Sequence, residues 1–216
     1  AYSTRVGGGP YPTELKDDTG ERLRKIGGEF GATTGRPRRT GWLDALQLRY
    51  AARVNGLNGI AMTKLDVLTG FEKVKIAVAY EVDGKRLDEM PSDLETLERA
   101  KAVYEELPGW PEKVDHLRTW DDLPPNARAY VKRVEELVGV KVIGVSVGAD
   151  RGAAVRVAEA LAGALATAEE RWPRGRVEPA AAAAIARERA EAEMRDATVL
   201  ASRGTEWSVV CEADAQ

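Results

Sequence analysis

The spacing of hydrophobic residues predicts an α/β domain over residues 1–151. A helix is expected to begin near Gly41 and to end at Asn55-Gly56. Its expected buried face consists of Leu43, Leu46, Tyr50 and Val54. A further helix is expected after Pro124-Pro125, with Gly139 as its cap. Its inward side chains are expected to be Tyr130, Val134 and Leu137.

Three segments have the pattern of strands. Ile60-Ala61-Met62 is a short apolar run, residues 74–82 alternate strictly and end at the turn signal Asp83-Gly84, and residues 140–145 are rich in β-branched side chains. The first run leads directly into residues 63–66, and the third leads into residues 146–148. Ligands of open α/β sheets gather at the carboxyl ends of strands, which makes both following segments candidates for binding.

Beyond Arg151 the composition changes to alanine, arginine and glutamate, which favours helices at about residues 152–171 and 178–196. The predicted organisation is therefore an α/β domain over residues 1–151 and a helical extension over residues 152–216. An apolar stripe in the extension comprises Val155, Ala158, Leu161 and Leu165. This stripe could bind a partner helix, but packing on the main domain is the favoured interpretation.

Composition excludes several classes of protein. The 216 residues are 44% hydrophobic and 31% charged with a net charge of −3, values that are ordinary for a globular protein. Cys211 is the single cysteine, so the chain has no internal disulfide, and an intracellular location is expected. No apolar run is long enough for a bilayer span, and no signal sequence opens the chain, so no membrane partner is expected. The start at Ala1, without methionine, suggests a chain joined in mid-protein.

The segment from Gly31 to Arg39 combines glycines, two threonines and three arginines. Arginine forks match the paired oxygens of carboxylates and phosphates, so the segment is suited to a small anion. A solvated basic turn or a nucleic-acid patch is an equally common origin of such a loop. Because the loop is compact and the whole chain is acidic, a pocket is favoured and no nucleic-acid partner is expected.

Lys64 and Asp66, after the first strand, have the residue types that read guanine. An aspartate carboxylate can accept hydrogen bonds from N1 and the exocyclic amine of guanine, while a lysine stem lies along the base. A surface salt bridge is the usual origin of such a triplet. Similarly, residues 146–148 could touch a base or sugar, or form a simple strand-to-helix turn. The sequence has no glycine-rich phosphate loop ending in Lys-Ser or Lys-Thr, and its single histidine, His116, is expected at the surface.

Five ordered segments resemble the adenylosuccinate synthetase family over residues 1–151. They are Ser3-Thr4-Arg5-Val6-Gly7-Gly8-Gly9-Pro10, Phe30-Gly31-Ala32-Thr33-Thr34-Gly35-Arg36, Arg39-Thr40-Gly41-Trp42-Leu43-Asp44, Thr63-Lys64-Leu65-Asp66-Val67-Leu68 and Leu107-Pro108-Gly109-Trp110. The resemblance implies the C-terminal part of a P-loop-type fold of that family, α/β with a mixed sheet, followed here by an atypical helical extension.

The resemblance also implies an activity: a cytoplasmic, magnesium-dependent ligase in AMP biosynthesis that converts IMP, L-aspartate and GTP to adenylosuccinate, GDP and phosphate. The family's catalytic aspartate and histidine, its phosphate loop and its Mg²⁺ ligand lie in a preceding region. We therefore expect an incomplete chain, inactive alone, that forms a homodimer or pairs with the missing N-terminal part. The alternative is a noncatalytic GTP- or aspartate-binding scaffold protein derived from the synthetase.

The resemblance further implies roles for individual residues, none of them catalytic and none a metal ligand. The aspartate and IMP side is expected to comprise Val6, Ala32, Thr33, Thr34, Gly35, Arg36, Pro37 and Arg38. The GTP side is expected to comprise Arg38, Lys64, Leu65, Asp66, Ser146, Val147 and Gly148. The segment from Gly31 to Arg39, called the arginine loop below, and the Lys64/Asp66 pair should then face a common cavity.

Overall fold

A computed structural model describes residues 1–149 and 153–157, and within these residues the chain forms nine strands and four α-helices. The strands are β1 (Ser3–Arg5), β2 (Arg39–Gly41), β3 (Leu43–Asp44), β4 (Ile60–Met62), β5 (Lys73–Val82), β6 (Lys85–Leu87), β7 (Lys101–Pro108), β8 (Val142–Ser146) and β9 (Ala154–Arg156). The helices are α1 (Asp18–Gly27), α2 (Ala45–Asn55), α3 (Leu94–Arg99) and α4 (Pro125–Val138), with a 3₁₀ turn at Leu65–Leu68. The mixed α/β architecture confirms the predicted class.

The long strand β5 forms the centre of a mixed sheet. It pairs in parallel with β3 and in antiparallel orientation with β6 and β7. The predicted alternation holds at Val74, Ile76, Tyr80 and Val82 but fails at Val78, which is half-buried. The register shifts there, and Ala77 and Ala79 are buried instead. The predicted turn is confirmed, since Asp83 and Gly84 adopt φ values of 52° and 76°. Positive φ at both central residues matches the right-handed twist of the strands, so the chain reverses directly into β6.

A second sheet positions the two segments predicted to bind guanine. Strands β4 and β8 pair in parallel, with Met62 opposite Val145, and β9 pairs with β8 in antiparallel orientation. Because parallel strands end at the same edge of a sheet, residues 63–66 and residues 146–148 leave the sheet side by side. This pairing brings together two segments that are about eighty residues apart in the sequence.

A two-stranded ladder positions the N-terminal motif beside the arginine loop. Strands β1 and β2 pair in antiparallel orientation, with Arg5 opposite Arg39. Val6 leaves β1 at the end where Arg38 enters β2. The ladder therefore brings two segments of the predicted aspartate and IMP side next to each other.

One large core joins these sheets to the helices. Leu23, Trp42, Leu65, Trp110 and Tyr130 all lie in it with at most 5% of their surface exposed. The rings of Trp110 and Tyr130 have their centroids 6.0 Å apart. The predicted inward face of α4 is confirmed for its two buried residues, Tyr130 and Val134, and Leu137 is half-buried. Within the described residues, no helix has the length and apolar character needed to cross a membrane.

The helix predicted to begin near Gly41 begins at Ala45, so Leu43 belongs to β3, and the predicted buried face of α2 is wrong at two further positions. Leu46 is buried, but Tyr50 and Val54 are 39% and 57% exposed. The buried face of the helix is instead completed by Ala51 and Ala52. These methyl side chains let neighbouring elements approach closely, so the buried face is rotated from the one that the large apolar residues indicate.

The predicted helix over residues 152–171 is wrong where it can be compared. Residues 154–156 form β9, and Ala153, Val155 and Val157 are buried in the core at every second position. Pairing with the free edge of β8 and burial of these side chains outweigh the helical preference of the local composition. The remaining positions of the predicted extension, including Ala158, Leu161, Leu165 and the helix at 178–196, lie outside the described residues. The predicted domain boundary stays a prediction.

The buried carboxylate of Asp44 connects three elements. It lies at the end of β3 and caps the amino terminus of α2 by accepting hydrogen bonds from the amides of Leu46 and Gln47, both at 3.1 Å. It also accepts a 2.6 Å hydrogen bond from the hydroxyl of Tyr80 on β5. Burial raises the pKa of this carboxyl above its usual value, although the three donors oppose the shift.

We predict that Asp44→Ala lowers the free energy of unfolding by about 3 kcal/mol. The substitution removes a helix cap and leaves the buried Tyr80 hydroxyl without a partner, and each effect costs about 1–2 kcal/mol. Denaturant titration measures the change. Asp93→Ala, which removes the exposed cap of α3, is the matched control and should cost clearly less. Equal losses in both variants would contradict the prediction.

Candidate functional site

The carboxylate of Glu29 occupies the centre of the candidate site. Glu29 is 1% exposed, and its two oxygens divide four donors between them. Oε1 accepts from Lys64 Nζ at 2.7 Å and from the Tyr2 hydroxyl at 2.5 Å. Oε2 accepts from Arg38 Nη1 at 3.2 Å and from Thr4 Oγ1 at 3.4 Å. One buried charge therefore joins the arginine loop to the segment that follows β4.

The end of α1 determines the position of Glu29. Gly28 adopts a left-handed conformation with φ of 63°, which ends the helix and reverses the chain. A side chain at Gly27 would come within about 2 Å of the Tyr2 hydroxyl, so only glycine allows this approach. The amide of Glu29 then donates to the carbonyl of Arg24 at 2.9 Å. The Gly-Gly pair thus points the carboxylate into the molecule.

Lys64 is held in an uncommon backbone conformation. Its φ of 61° lies in the left-handed region, which costs a residue with a side chain roughly 1–2 kcal/mol. Its ammonium group donates to Glu29 and, at 2.8 Å, to the carbonyl of Gly27. A cation is favourable there because the last carbonyls of a helix carry partial negative charge. These contacts offset the backbone cost and hold the lysine stem across the sheet edge, where its side chain is 42% exposed.

Asp66 has a buried acceptor without a donor. Its Oδ1 atom is inaccessible to solvent and accepts no hydrogen bond from the residues that the structure describes. Burial raises the pKa of the Asp66 carboxyl, and the nearby carboxylate of Asp115 adds to this, whereas Lys64 lowers it. An unsatisfied buried acceptor is costly. A ligand that brings an N–H group would satisfy this atom, but only if the carboxyl turns outward, because Oδ1 is covered in the ligand-free chain.

The turn after β8 presents one polar side chain to the same sheet edge. Ser146 is half-buried, and its hydroxyl donates to the carbonyl of Gly148 at 3.0 Å. Two other residues predicted to bind GTP, Leu65 and Val147, have fully buried side chains in the core. The amide of Val147 donates to the carbonyl of Ala153. Residues 65 and 147 thus support the neighbouring polar positions and offer no side chain to a ligand.

The arginine loop is a closed turn with an exposed tip. Its stem is formed by the paired residues Phe30 and Pro37 and by a 2.9 Å hydrogen bond from the Arg38 amide to the Glu29 carbonyl. Residues 32–37 are exposed, and their side chains include Thr33, Thr34 and Arg36. Among the described contacts, no hydrogen bond or ion pair joins this tip to Lys64 or Asp66. The arginine loop is connected to Lys64 through Arg38, because both side chains bond the carboxylate of Glu29.

Two arginines hold the glycine-rich turn that follows β1. Arg5 donates to the carbonyls of Gly8 and Pro10, both at 3.0 Å. Arg39 donates to the carbonyls of Gly7 and Gly9 and forms a bidentate ion pair with Glu14 at 2.7 and 2.8 Å. Val6 leads into this turn and is 57% exposed. The backbone at Val6 is therefore rigidly placed next to Arg38 with its side chain open to solvent.

Two surface depressions in the described part of the chain lie away from the candidate site. Both depressions lie along α1 and the segment before it, and their volumes are about 350 and 400 Å³. Charged residues such as Asp18 and Glu21 line them. Neither depression contains a residue that the sequence predicted to bind a substrate. His116 is exposed beside Asp115, as predicted for a surface residue.

The site combines chemistry for two kinds of ligand. At the sheet edge, the Asp66 acceptor, the Lys64 stem and the Ser146 turn offer a surface for a flat base with N–H donors. At the loop, exposed hydroxyls and a guanidinium offer donors to a small anion. Within residues 1–149 and 153–157, no three His, Cys, Asp or Glu side chains lie together as a metal cluster would require.

Sequence reasoning missed Glu29 and Tyr2, although both belong to the centre of the site. Nothing local to the sequence distinguishes a buried glutamate from an exposed one. The available signal is the Gly27-Gly28 pair immediately before it, which predicts a sharp reversal after a helix and a close approach of backbone to another group.

Comparisons with known proteins agree on one family. The sequence profile described as adenylosuccinate synthetase matches residues 1–155. The adenylosuccinate synthetase of Anaeromyxobacter dehalogenans (strain 2CP-C) is 82% identical over 157 residues, which cover 73% of this chain and 36% of that protein. The enzyme of the same name from Myxococcus xanthus is 61% identical over 155 residues, covering 72% and 36%.

A solved structure supports the same relationship. The fully ligated adenylosuccinate synthetase from Plasmodium falciparum aligns with a TM-score of 0.69 at 38% identity, covering 72% of this chain and 38% of that one. This chain therefore spans little more than a third of the length of the relatives that it matches.

We predict that Glu29 makes the free energy of unfolding decrease at acid pH. Burial alone would raise the pKa of Glu29, but the hydrogen bonds from Lys64 and Tyr2 outweigh it and hold the pKa below its usual value. The unfolded chain, in which glutamate titrates near pH 4.3, then binds more protons. The stabilisation is complete above about pH 4.3 and is lost as the pH falls through the lower folded pKa.

Glu29→Gln should therefore cost about 2 kcal/mol at pH 7, because charged hydrogen bonds are removed from a buried site. The difference from the unmodified chain should shrink steadily on acidification below about pH 4.3. Urea titrations at several pH values measure it. Glu98→Gln, an exposed position on α3, is the control. A difference that stays constant with pH would contradict the prediction.

Proposed function

Because this chain belongs to the adenylosuccinate synthetase family, we propose that it provides the guanine-binding and aspartate-binding parts of that ligase. In the proposed reaction, GTP phosphorylates the 6-oxygen of IMP, and L-aspartate displaces the phosphate to give adenylosuccinate, a step of cytoplasmic AMP biosynthesis. The observation that carries the proposal is the buried, unpartnered Oδ1 of Asp66 at the edge where β4 and β8 end together.

Asp66 reads the guanine base in this proposal. Guanine presents two neighbouring donors, N1–H and the exocyclic amine, and a carboxylate can accept from both. Adenine has no such pair, so the position discriminates between the two purines. The burial of Asp66 strengthens this preference, because a base without the donors leaves the acceptor unsatisfied.

Lys64 and Ser146 hold the base against the protein. The lysine stem lies along one face of the ring while its ammonium group remains bound to Glu29 and the Gly27 carbonyl. The turn at residues 146–148 closes the edge of the base, with Ser146 as its polar side chain. Leu65 and Val147 act from the core, by fixing the backbone on either side.

The arginine loop takes the aspartate. Thr33 and Thr34 hydrogen-bond the amino acid, and the Arg36 guanidinium pairs with its carboxylate in a two-point contact. Ala32, Gly35 and Pro37 shape this exposed turn.

Arg38 and Val6 connect the loop to the two nucleotides. Arg38, anchored on Glu29, faces the phosphates of GTP. The backbone at Val6 approaches the ribose of IMP, and the arginine-held turn that follows it keeps this backbone in place.

Phosphate chemistry requires groups beyond the described residues. The family implies Mg²⁺ with GTP, but the described residues provide no metal cluster, so the proposal assigns the ion no ligand here. The phosphate loop and the catalytic aspartate and histidine are likewise assigned to the part of the relatives that this chain does not span. We propose that the chain either pairs with such a region, as one piece of a split enzyme, or forms a homodimer.

We predict that Asp66→Asn reverses the base preference. The amide replaces one acceptor with a donor, so GDP affinity should fall about 10- to 100-fold, as expected for losing hydrogen bonds to a charged group. Xanthosine diphosphate, which carries a carbonyl where guanine has its amine, should gain affinity. Isothermal calorimetry with GDP, ADP and xanthosine diphosphate measures these changes.

The matched control is Asp83→Asn in the β5–β6 turn, where asparagine tolerates the positive φ. It should bind GDP like the unmodified chain. Unchanged GDP affinity in Asp66→Asn would remove the guanine assignment.

We predict that activity returns when the chain is combined with the preceding region of a close relative. Mixing it with the part of the Anaeromyxobacter dehalogenans protein that precedes the matched 157 residues should give GTP-dependent formation of adenylosuccinate, followed by absorbance. Arg36→Ala in the mixture should lower kcat/KM for aspartate by at least about tenfold, because a charged contact is lost. A stable complex without turnover would count against the assignment.

A further inference from the structure

We propose that Glu29 is a positioning residue that couples the guanine-binding lysine to the aspartate-binding loop. The inference rests on the proposed function for its ligands, but the coupling itself is a property of three side chains in the ligand-free chain: Glu29, Lys64 and Arg38. It assigns Glu29 a regulatory role: occupancy at the base-binding edge changes how firmly the loop is held.

The contacts of Glu29 are divided between the two halves of the site. Oε1 accepts a hydrogen bond from Lys64 Nζ at 2.7 Å, and Oε2 accepts one from Arg38 Nη1 at 3.2 Å. Tyr2 and Thr4, both on the β1 side, fill the remaining acceptor positions. Lys64 and Arg38 therefore share a single carboxylate although they lie on separate elements.

The backbone of Glu29 belongs to the loop itself. Its carbonyl accepts the amide of Arg38, and the loop closes above this bond through hydrogen bonds from Gly31 to Arg36 and from Gly35 to Gly31. A movement of Glu29 is therefore a movement of the loop stem. The carbonyl of Arg38 also accepts from Arg24 Nε at 2.9 Å, which ties the same stem to α1.

Charge balance provides the coupling. A carboxylate that is 1% exposed must keep its cationic donors, because water cannot replace them. When a base covers Lys64, whose side chain is 42% exposed, the ammonium is desolvated and its attraction to Glu29 strengthens. When Lys64 is drawn away, Arg38 alone must balance the charge. In both cases the state of Lys64 alters the position that Glu29 and the loop stem prefer.

Amide hydrogen exchange, followed by NMR in the ligand-free 216-residue chain, tests the coupling directly. The reporter is the Arg38 amide, which donates to Glu29. Lys64→Met should accelerate its exchange about tenfold although, among the described contacts, residue 64 makes none with Arg38 and reaches the loop only through the side chain of Glu29. Glu29→Gln should do the same, and the double variant should exceed neither single variant, because both remove one shared interaction. Lys64→Arg, which retains the charge, should keep most of the protection.

Lys73→Met is the matched control, since it removes an exposed ion pair with Glu106 on another sheet. It should leave the Arg38 amide at its original rate. Because Lys64 is half-exposed, Lys64→Met keeps the test valid even if Glu29→Gln fails to fold. Unchanged exchange in Lys64→Met, or multiplied effects in the double variant, would overturn the proposal.

The same exchange measurement in the presence of GDP distinguishes a failure of this inference from a failure of the proposed function. Saturating GDP should slow exchange of the Arg38 amide in the unmodified chain and should leave it unchanged in Glu29→Gln, which keeps Asp66. Protection by GDP that persists in Glu29→Gln would overturn the coupling while guanine binding stands. Absence of GDP binding to any variant would overturn the guanine assignment, and the ligand-free exchange rates would still decide the coupling.

Discussion

The buried carboxylate of Glu29 is the interaction on which the candidate site depends. Four donors from three parts of the chain converge on it: Tyr2 and Thr4 from the N-terminal segment, Arg38 from the loop, and Lys64 from the edge of the second sheet. Removal of a buried charge from water is costly, so its donors must be kept in place together. The carboxylate thereby fixes the positions of these three segments relative to one another.

The sheets bring these segments within reach of one another. Parallel pairing of β4 with β8 makes one edge from two distant parts of the sequence, and the β1–β2 ladder brings the glycine-rich turn to the base of the arginine loop. Only glycine fits where α1 ends against Tyr2, because the helix terminus and the hydroxyl are nearly in contact. The site thus consists of loop residues held by regular elements, which is a common arrangement for binding surfaces.

The sequence predicted most of what is local. The turn after β5, the extent of β4 and the glycine cap of α4 each follow from patterns within a few residues, and the ordered motifs indicated the family. Burial was harder to predict. Tyr50 and Val54 are exposed because small alanines form the contact of α2, and residues 154–156 form a strand because β8 has an edge to pair with. Glu29 was missed because its donors lie up to 35 residues away.

At position 64 the backbone conformation favours a small residue, whereas the contacts of the side chain require an ammonium group. Glycine or asparagine would adopt its φ of 61° more easily than lysine does. Neither residue carries an ammonium group that could reach the carbonyl of Gly27 and the carboxylate of Glu29. A smaller residue at position 64 would therefore relax the backbone but leave the buried carboxylate of Glu29 without its ammonium partner, and lysine meets both requirements only because its contacts offset the strain of its own backbone.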